Sequence, residues 1–385
     1  MVTRANVNPA LITWARVRAG IAKAELSLKF KNLPRWEEGD LKPTLKQLDA
    51  FASAVHVPVG YLFLPEPPKE VVPIPDFRTF KGRSIARPSP NLLDTIYICQ
   101  ERQAWYRDYA RMSSLQDLDF VASVSIADSP QTVAQQIRNR LGFDLDARRQ
   151  CPTWSDALRL FIRQADSAGI LVMVSGIVMN NSHRPLETEE FRGFALCDSL
   201  APLIFVNGRD TKAAQMFTVA HELAHIWLGA SALSNLGSTP QPSSRKEERW
   251  CNSVAAELLV PINVLHSHIR EGESITKSLS RLARIFKVST LVILLRFWEE
   301  GLIAQDDFDL TWKSELDRLQ KYVRAGDSGG NFYRTTLTRV SPRFARALVS
   351  HTLEGQTLYR DAFRMLGIQR TATFEQLARE VGVAG

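Results

Sequence analysis

The chain is poor in cross-linking residues. Its 385 residues include four cysteines, Cys99, Cys151, Cys197 and Cys251, with no CxxC pair among them. They read as buried thiols in a reducing compartment, and a disulfide framework is excluded. Long apolar runs are also missing, and nothing approaches the ~20 consecutive apolar residues of a membrane span. The opening "MVTRANVNPALITWARVRAG" lacks a signal-peptide core, so a cytoplasmic protein with no membrane partner is expected. Blocks of like charge are absent too. The net charge of +7 is spread over interspersed acids and bases, which permits contact with nucleic acid without arguing for it. No internal repeat is visible, and histidine is scarce, with seven in all.

An apolar fraction of 45% and a charged fraction of 23% are ordinary for a globular chain, and the length allows two or three cored domains. Residues 8–66 carry helical spacing in "NPALITWARVRAGI" and "TLKQLDAFASAVHV". Prolines from Pro58 to Pro90 then suggest a stiff connector and a domain boundary. Residues 91–165 are helical again, with Ser129 as an N-cap. The pattern changes at "GILVMVSGIVM", "GFALC" and "PLIFVNG", three short runs that read as strands. A helix follows over "DTKAAQMFTVAHELAHIWLG", with Asp210 placed to cap its start and Gly229 its end. "SALSNLGSTPQPSSRK" reads as a loop, and "EERWCNSVAAELLVP" as a second helix closed by Pro261. Residues 273–303 read as helix, turn, helix, and the remainder as helical with a glycine break at "SGGNFYR".

Two of the seven histidines sit in "FTVAHELAHIWLG". His221 and His225 are one helical turn apart and leave the same face, a spacing suited to a metal bound by both imidazoles. Glu222 points about 100° around the helix, within reach of the reacting water without ligating, as the general base of an H-E-x-x-H hydrolase does. The bland alternative is a core helix with polar residues caught in it. That would bury two histidines at a desolvation cost. A catalytic metal needs a third protein ligand. Glu247, Glu248, Glu257, His266 and His268 lie downstream. Glu248 shares a face with Ala255, two turns on, and small Ala255 and Ala256 allow close approach of the two helices. Glu257 falls about 180° away from Glu248 on a regular helix. His266 and His268 follow Pro261 and are expected on the outside of a separate helix.

"MFTVAHELAHIWLG" followed by "EERWCNSVAAELLVP" resembles the ImmA/IrrE family of bacterial zinc metallopeptidases, as does the preceding "EFRGFALCDSLAPLIFVNGRD". The resemblance runs from about 165 to 265. It implies an α+β, zincin-like fold: a small sheet plus the motif helix within a mainly helical multidomain chain. It also implies that Glu248 is the third ligand, beside His221 and His225, with Glu222 catalytic. Zinc is the implied cofactor, although manganese or another divalent ion suits these ligand types too. The implied partner is a protein substrate, often a helix-turn-helix repressor or antitoxin, whose cleavage switches on stress-response, mobile-element or toxin–antitoxin genes. In zincins a substrate lies along an edge strand, and "PLIFVN" is the expected edge. His183 is a candidate for stabilising the oxyanion, with a plain surface histidine the alternative.

The N-terminal segment resembles a Cro/repressor-type helix-turn-helix domain in "WEEGDLKPTLKQLDAFASAVHVPVGYLF". The stretch that would hold the reading helix is shortened and interrupted by Pro34. Arg35, Lys29 and Lys31 are too few to specify bases. Docking of a protein partner or a structural role is therefore favoured over DNA binding, and a DNA-binding regulator that does not cut is the alternative for the whole chain. In 273–303 the apolar run 291–295 covers a whole helix circumference, so that helix is expected to be buried. Arg334, Arg339, Arg343 and Arg346 form either a basic face or a solvated one. The expected organisation is a degenerate helix-turn-helix-like domain over 1–72, a linker over 73–90 and the peptidase domain over 91–270. A helix-turn-helix-like segment over 271–305 and a C-terminal helical domain over 306–385 follow.

Overall fold

A computed structural model of the chain describes residues 4–68, 70, 72–75, 88–234, 246–323 and 332–383, with side chains omitted for 234 and 319–323. The chain divides into two compact units. One comprises the residues up to Pro73 together with the chain leading to Asp94. The other holds nearly everything else.

The first unit contains α1 (Pro9–Arg18), α2 (Lys23–Lys29), α3 (Leu33–Glu38) and α4 (Leu45–Ala54), then a 3-10 turn at Val59–Phe63. Leu11, Ile12, Leu33, Trp36, Leu48, Phe51 and Leu62 make its core, where Phe30, Trp36 and Phe51 meet edge-on or tilted. Local chemistry sets the boundaries. Gly39 takes a left-handed φ of 83° to end α3, and Thr44 with Gln47 forms a capping box that starts α4. Only residues 30–32 separate α2 from α3, so no further helix stands between them.

In chain order there follow α5 (Pro90–Met112), α6 (Pro130–Leu141), α7 (Leu145–Arg149) and α8 (Trp154–Ser167). Next come β1 (Leu171–Ser175), β2 (Gly193–Leu196), β3 (Leu203–Asn207), α9 (Lys212–Leu228) and β4 (Ala232–Ser234). Then come α10 (Lys246–Leu259), α11 (Ile262–His266), α12 (Ile275–Phe286), α13 (Thr290–Glu299) and α14 (Gln305–Val323). The chain closes with α15 (Phe332–Val340), α16 (Pro342–Leu353), α17 (Tyr359–Leu366) and α18 (Thr371–Glu380). Ser129 caps α6 by accepting from Thr132 N–H, as expected from the sequence. The glycine break at "SGGNFYR" falls largely outside the described residues.

The fold is α+β, dominated by helix, with one small mixed sheet of order β1-β3-β2-β4. β1 and β3 run parallel, while β2 is antiparallel to both β3 and β4. Alternate residues serve opposite faces. Val172, Val174, Ala195, Ile204 and Val206 join the core cluster that contains α9. Phe194 and Phe205 instead stack on each other at 5.1 Å. Two strand expectations need correction. "PLIFVN" is not an edge, because β3 lies between β1 and β2. The edge at that end is β4, in a stretch expected to be loop. Helix α13 is buried at Val292, Ile293, Leu294 and Leu295, as its apolar run requires.

Three of the four spaced C-terminal arginines are engaged within their own unit, and Arg334 is exposed. Arg343 donates to the Asp166 and Ser167 carbonyls at the end of α8, Arg346 to the Val381 carbonyl, and Arg339 to Asn180. They bind helix ends and loops of their own unit. No described helix is long and apolar enough to cross a membrane.

Candidate metal centre

Helix α9 is apolar nearly all round and is buried from Ala213 to Trp227 apart from the half-buried Ala214 and Phe217. Such a helix has no solvent face and belongs inside a core. Its start is capped by Thr211, whose side chain accepts from Ala214 N–H at 3.1 Å. This corrects the expectation for Asp210. That carboxylate is engaged elsewhere, accepting from Thr211 N–H at 2.8 Å and facing Arg192 at 3.4 Å. Gly229 ends the helix with φ 76°, a left-handed conformation that suits glycine. Trp227 stacks on Phe120 at 4.4 Å, and Ile226 and Trp227 carbonyls accept from Ala122 and Val124. The last turn of α9 is therefore held from outside as well as from within.

On this rigid element the His221 and His225 Nε2 atoms lie 3.1 Å apart. The third group comes from the first turn of α10, which packs along α9 and α6. Ala255 and Ala256 of α10 are fully buried and bring no bulk to that packing. Glu248 places Oε1 3.1 Å from His225 Nε2 and Oε2 3.4 Å from His221 Nε2. Tetrahedral bonds of about 2.0–2.1 Å set ligand atoms ~3.3–3.4 Å apart, so this triangle has the size a zinc ion requires. Among the described residues, His221, His225 and Glu248 are the group that could hold a metal ion. The donor set fits a divalent metal of the zinc type.

The charges agree with that use. Burial pushes the Glu248 carboxyl up, but the two imidazoles more than offset it and hold it below the usual carboxylate range. Its place in the first turn of α10 also suits an anion. Burial pushes His221 down, while Glu248 and Glu222 raise it, for a net upward shift. Asn252, one turn beyond Glu248, adds to that upward pull on His221. His225 moves down, because its burial outweighs Glu248 and His221 repels it.

Glu222 has no exposed surface. Its carboxylate lies against β2 at Gly193. A Cβ on Gly193 would stand 3.2 Å from Glu222 Oε1 and 2.5 Å from Thr218 Cγ2. Nothing in the local sequence announced the role of Gly193, because the close approach arises only when the sheet meets α9. Asn252 was more accessible, being four residues from Glu248 on the same helix face.

The remaining candidates lie elsewhere. Glu247 is exposed. Glu257 is held by Arg296 and accepts from Ile262 N–H at 3.3 Å. His266 is half-exposed and faces Glu300 at 3.5 Å, and His268 bonds the Val264 carbonyl. His183 is exposed in the loop before β2, with its backbone N–H on Asn181, unlike the buried site residues. The four cysteines are free thiols. Burial pushes Cys99 and Cys197 up to about 12 and Cys251 well above its ordinary value, so these three stay protonated.

Residues 165–297 match a peptidase family model described as the IrrE N-terminal-like domain, and residues 340–380 match one described as a domain of unknown function. No curated protein and no solved structure gave a significant match. The first match spans β1 to α13 and so encloses the whole candidate centre. It supports a metallopeptidase-type function for this region, which implies a divalent metal and a protein substrate.

Proposed function

We propose that the chain is a zinc-dependent endopeptidase that hydrolyses a peptide bond in a regulatory protein. The observation that carries this reading is the His221–His225–Glu248 triangle, set beside a buried Glu222 inside the matched region. When bound, the metal would supply Lewis-acid polarisation of the scissile carbonyl and acidify the attacking water. Glu222 has the general base's part: it takes the water proton and passes it to the leaving amine. Gly193 leaves the space that this carboxylate occupies. His221 and His225 are held at one pitch by the buried α9, and Glu248 is kept anionic by the imidazoles. The family resemblance favours a helix-turn-helix repressor or antitoxin as substrate, with derepression as the result. The shortness of α3, six residues with Pro34 in its first turn, favours protein docking over base reading by the first unit.

Co-expression with candidate repressors, followed by mass spectrometry of fragments, tests the reading. Wild type should yield a discrete fragment. Glu222→Gln should abolish it while keeping about one metal per chain, and Glu248→Gln should lower both. Removing a general base costs on the order of 10²–10⁴ in rate. An unchanged fragment from Glu222→Gln would sink the assignment.

A further inference from the structure

The site is closed in this structure. His221, Glu222 and His225 have no exposed surface, and Glu248 is 6% exposed. A peptide must therefore displace something before it can be cut. β4 is the sheet edge nearest Glu222: its Ser234 pairs with Gly193, and Gly193 stands against the Glu222 carboxylate. The outer side of β4 is where an extended backbone would gain main-chain bonds beside the reacting groups.

That side already has an occupant. Leu233 N–H donates to the Pro75 carbonyl at 3.0 Å, and the preceding Ile74 is only 8% exposed. Both residues belong to the second unit with the sheet. We propose that the outer edge of β4 is the peptide-docking edge of this site, and that Ile74–Pro75 is its resident occupant, which a substrate strand must displace. The peptidase reading supplies what happens after docking; the docking itself can be measured without it.

Proline makes the occupant displaceable. Pro75 accepts a bond from Leu233 but has no N–H to return one, so a substrate residue with an N–H can hold the edge better. The advantage of the occupant is its tether, since a linked segment competes at an effective concentration in the millimolar range. A passive edge cover, as sheets use against aggregation, predicts no competition.

The probe is a fluorescent peptide with the sequence of residues 70–75, Glu-Val-Val-Pro-Ile-Pro. Its binding to the full chain is read by anisotropy in a Glu222→Gln background, so that no cleavage consumes it. Ile74→Asp should release the edge and raise the affinity about tenfold or more over the unaltered segment. A probe with Asp in place of Ile should not bind. Hydrogen exchange at residues 232–234 should quicken in Ile74→Asp and slow again with the peptide. Ile74→Ala serves in the same way if the Asp variant fails to fold. Equal binding to both chains, or none to either, overturns the proposal. Binding to Ile74→Asp in a chain that never cleaves keeps the docking edge and discards only the peptidase reading.

Discussion

A one-atom question decides the geometry at Glu222. Gly193 has no Cβ, and one placed there meets Thr218 Cγ2 at 2.5 Å, the Phe205 carbonyl oxygen at 2.8 Å and Glu222 Oε1 at 3.2 Å. The Phe205 oxygen is backbone of the neighbouring strand β3 and cannot swing aside, so Gly193→Ala must shift β2 against β3, while the contacts with Thr218 and Glu222 press the sheet away from α9. Overpacking of this kind costs about 1–3 kcal/mol. Gly193→Ala should lower the melting temperature and depress kcat with metal content unchanged. Adding Thr218→Ser should restore part of the stability by removing one clashing methyl. Full turnover and an unshifted melt would show that Gly193 is incidental. Residues like this are hard to read from sequence. His221 and His225 carry their relation in their spacing, and Glu248 follows from a motif and a shared face. Gly193 gains its meaning only from an approach between two elements.

At the scale of elements, the sequence showed which segments form and less about how they neighbour one another. α9 and α10 were legible because both are long, periodic and bounded by glycine or proline. The three-residue β4 was not, since "ALS" has no periodicity to detect. Sheet order was not legible either: β3 reads like any apolar strand, and its central place depends on β1 and β2 flanking it. Nor could charge counts foretell how α10 ends. Three arginines from three other helices serve its last carbonyls: Arg138 bonds Glu257 O at 2.8 Å, Arg148 Leu259 O at 2.7 Å and Arg296 Val260 O at 3.1 Å. Cations there satisfy orphan carbonyls and the helix dipole. Burial pulls Arg148 down to about 9, which still leaves it charged at neutral pH. Arg296 also pairs with Glu257, and both side chains are about 6% exposed. Removing one member of a buried pair strands the other, at about 3–5 kcal/mol. Arg296→Met should therefore destabilise by that order in urea melts. Combining it with Glu257→Gln should recover much of the loss, because the more buried of its carboxylate partners is then neutral and only the more exposed Glu299, which Arg296 also pairs at 2.9 Å, is left without its partner. A single-variant cost below about 1 kcal/mol would contradict the capping account.

At the scale of the molecule, burial leaves the net charge almost unchanged, because buried acids balance buried bases. Among the described residues Arg102, Arg138, Arg148, Arg184 and Arg296 are buried, but so are Glu222, Glu248, Glu257 and Glu315, so nearly all of the +7 net charge stays at the surface. The connector expected over 73–90 lies mostly outside the described residues, and the chain divides into two compact units with separate cores. The proposed metal ligands all lie in the second unit, two on α9 and one on α10. A bound metal would therefore join two helices of one unit and leave the other unit untouched. A ligand that binds only the folded form stabilises it by about 2.7 kcal/mol at one hundred times its Kd. Scanning calorimetry of the full chain, with zinc and then with chelator, should resolve this. Chelation should lower the transition of the second unit by several degrees and leave the first in place. Leu48→Ala identifies the first transition, because Leu48 is fully buried in that unit's core. Glu248→Gln should make the second transition insensitive to chelator. A chelator shift shared by both transitions, or one that persists in Glu248→Gln, would mean that the metal is held by other residues.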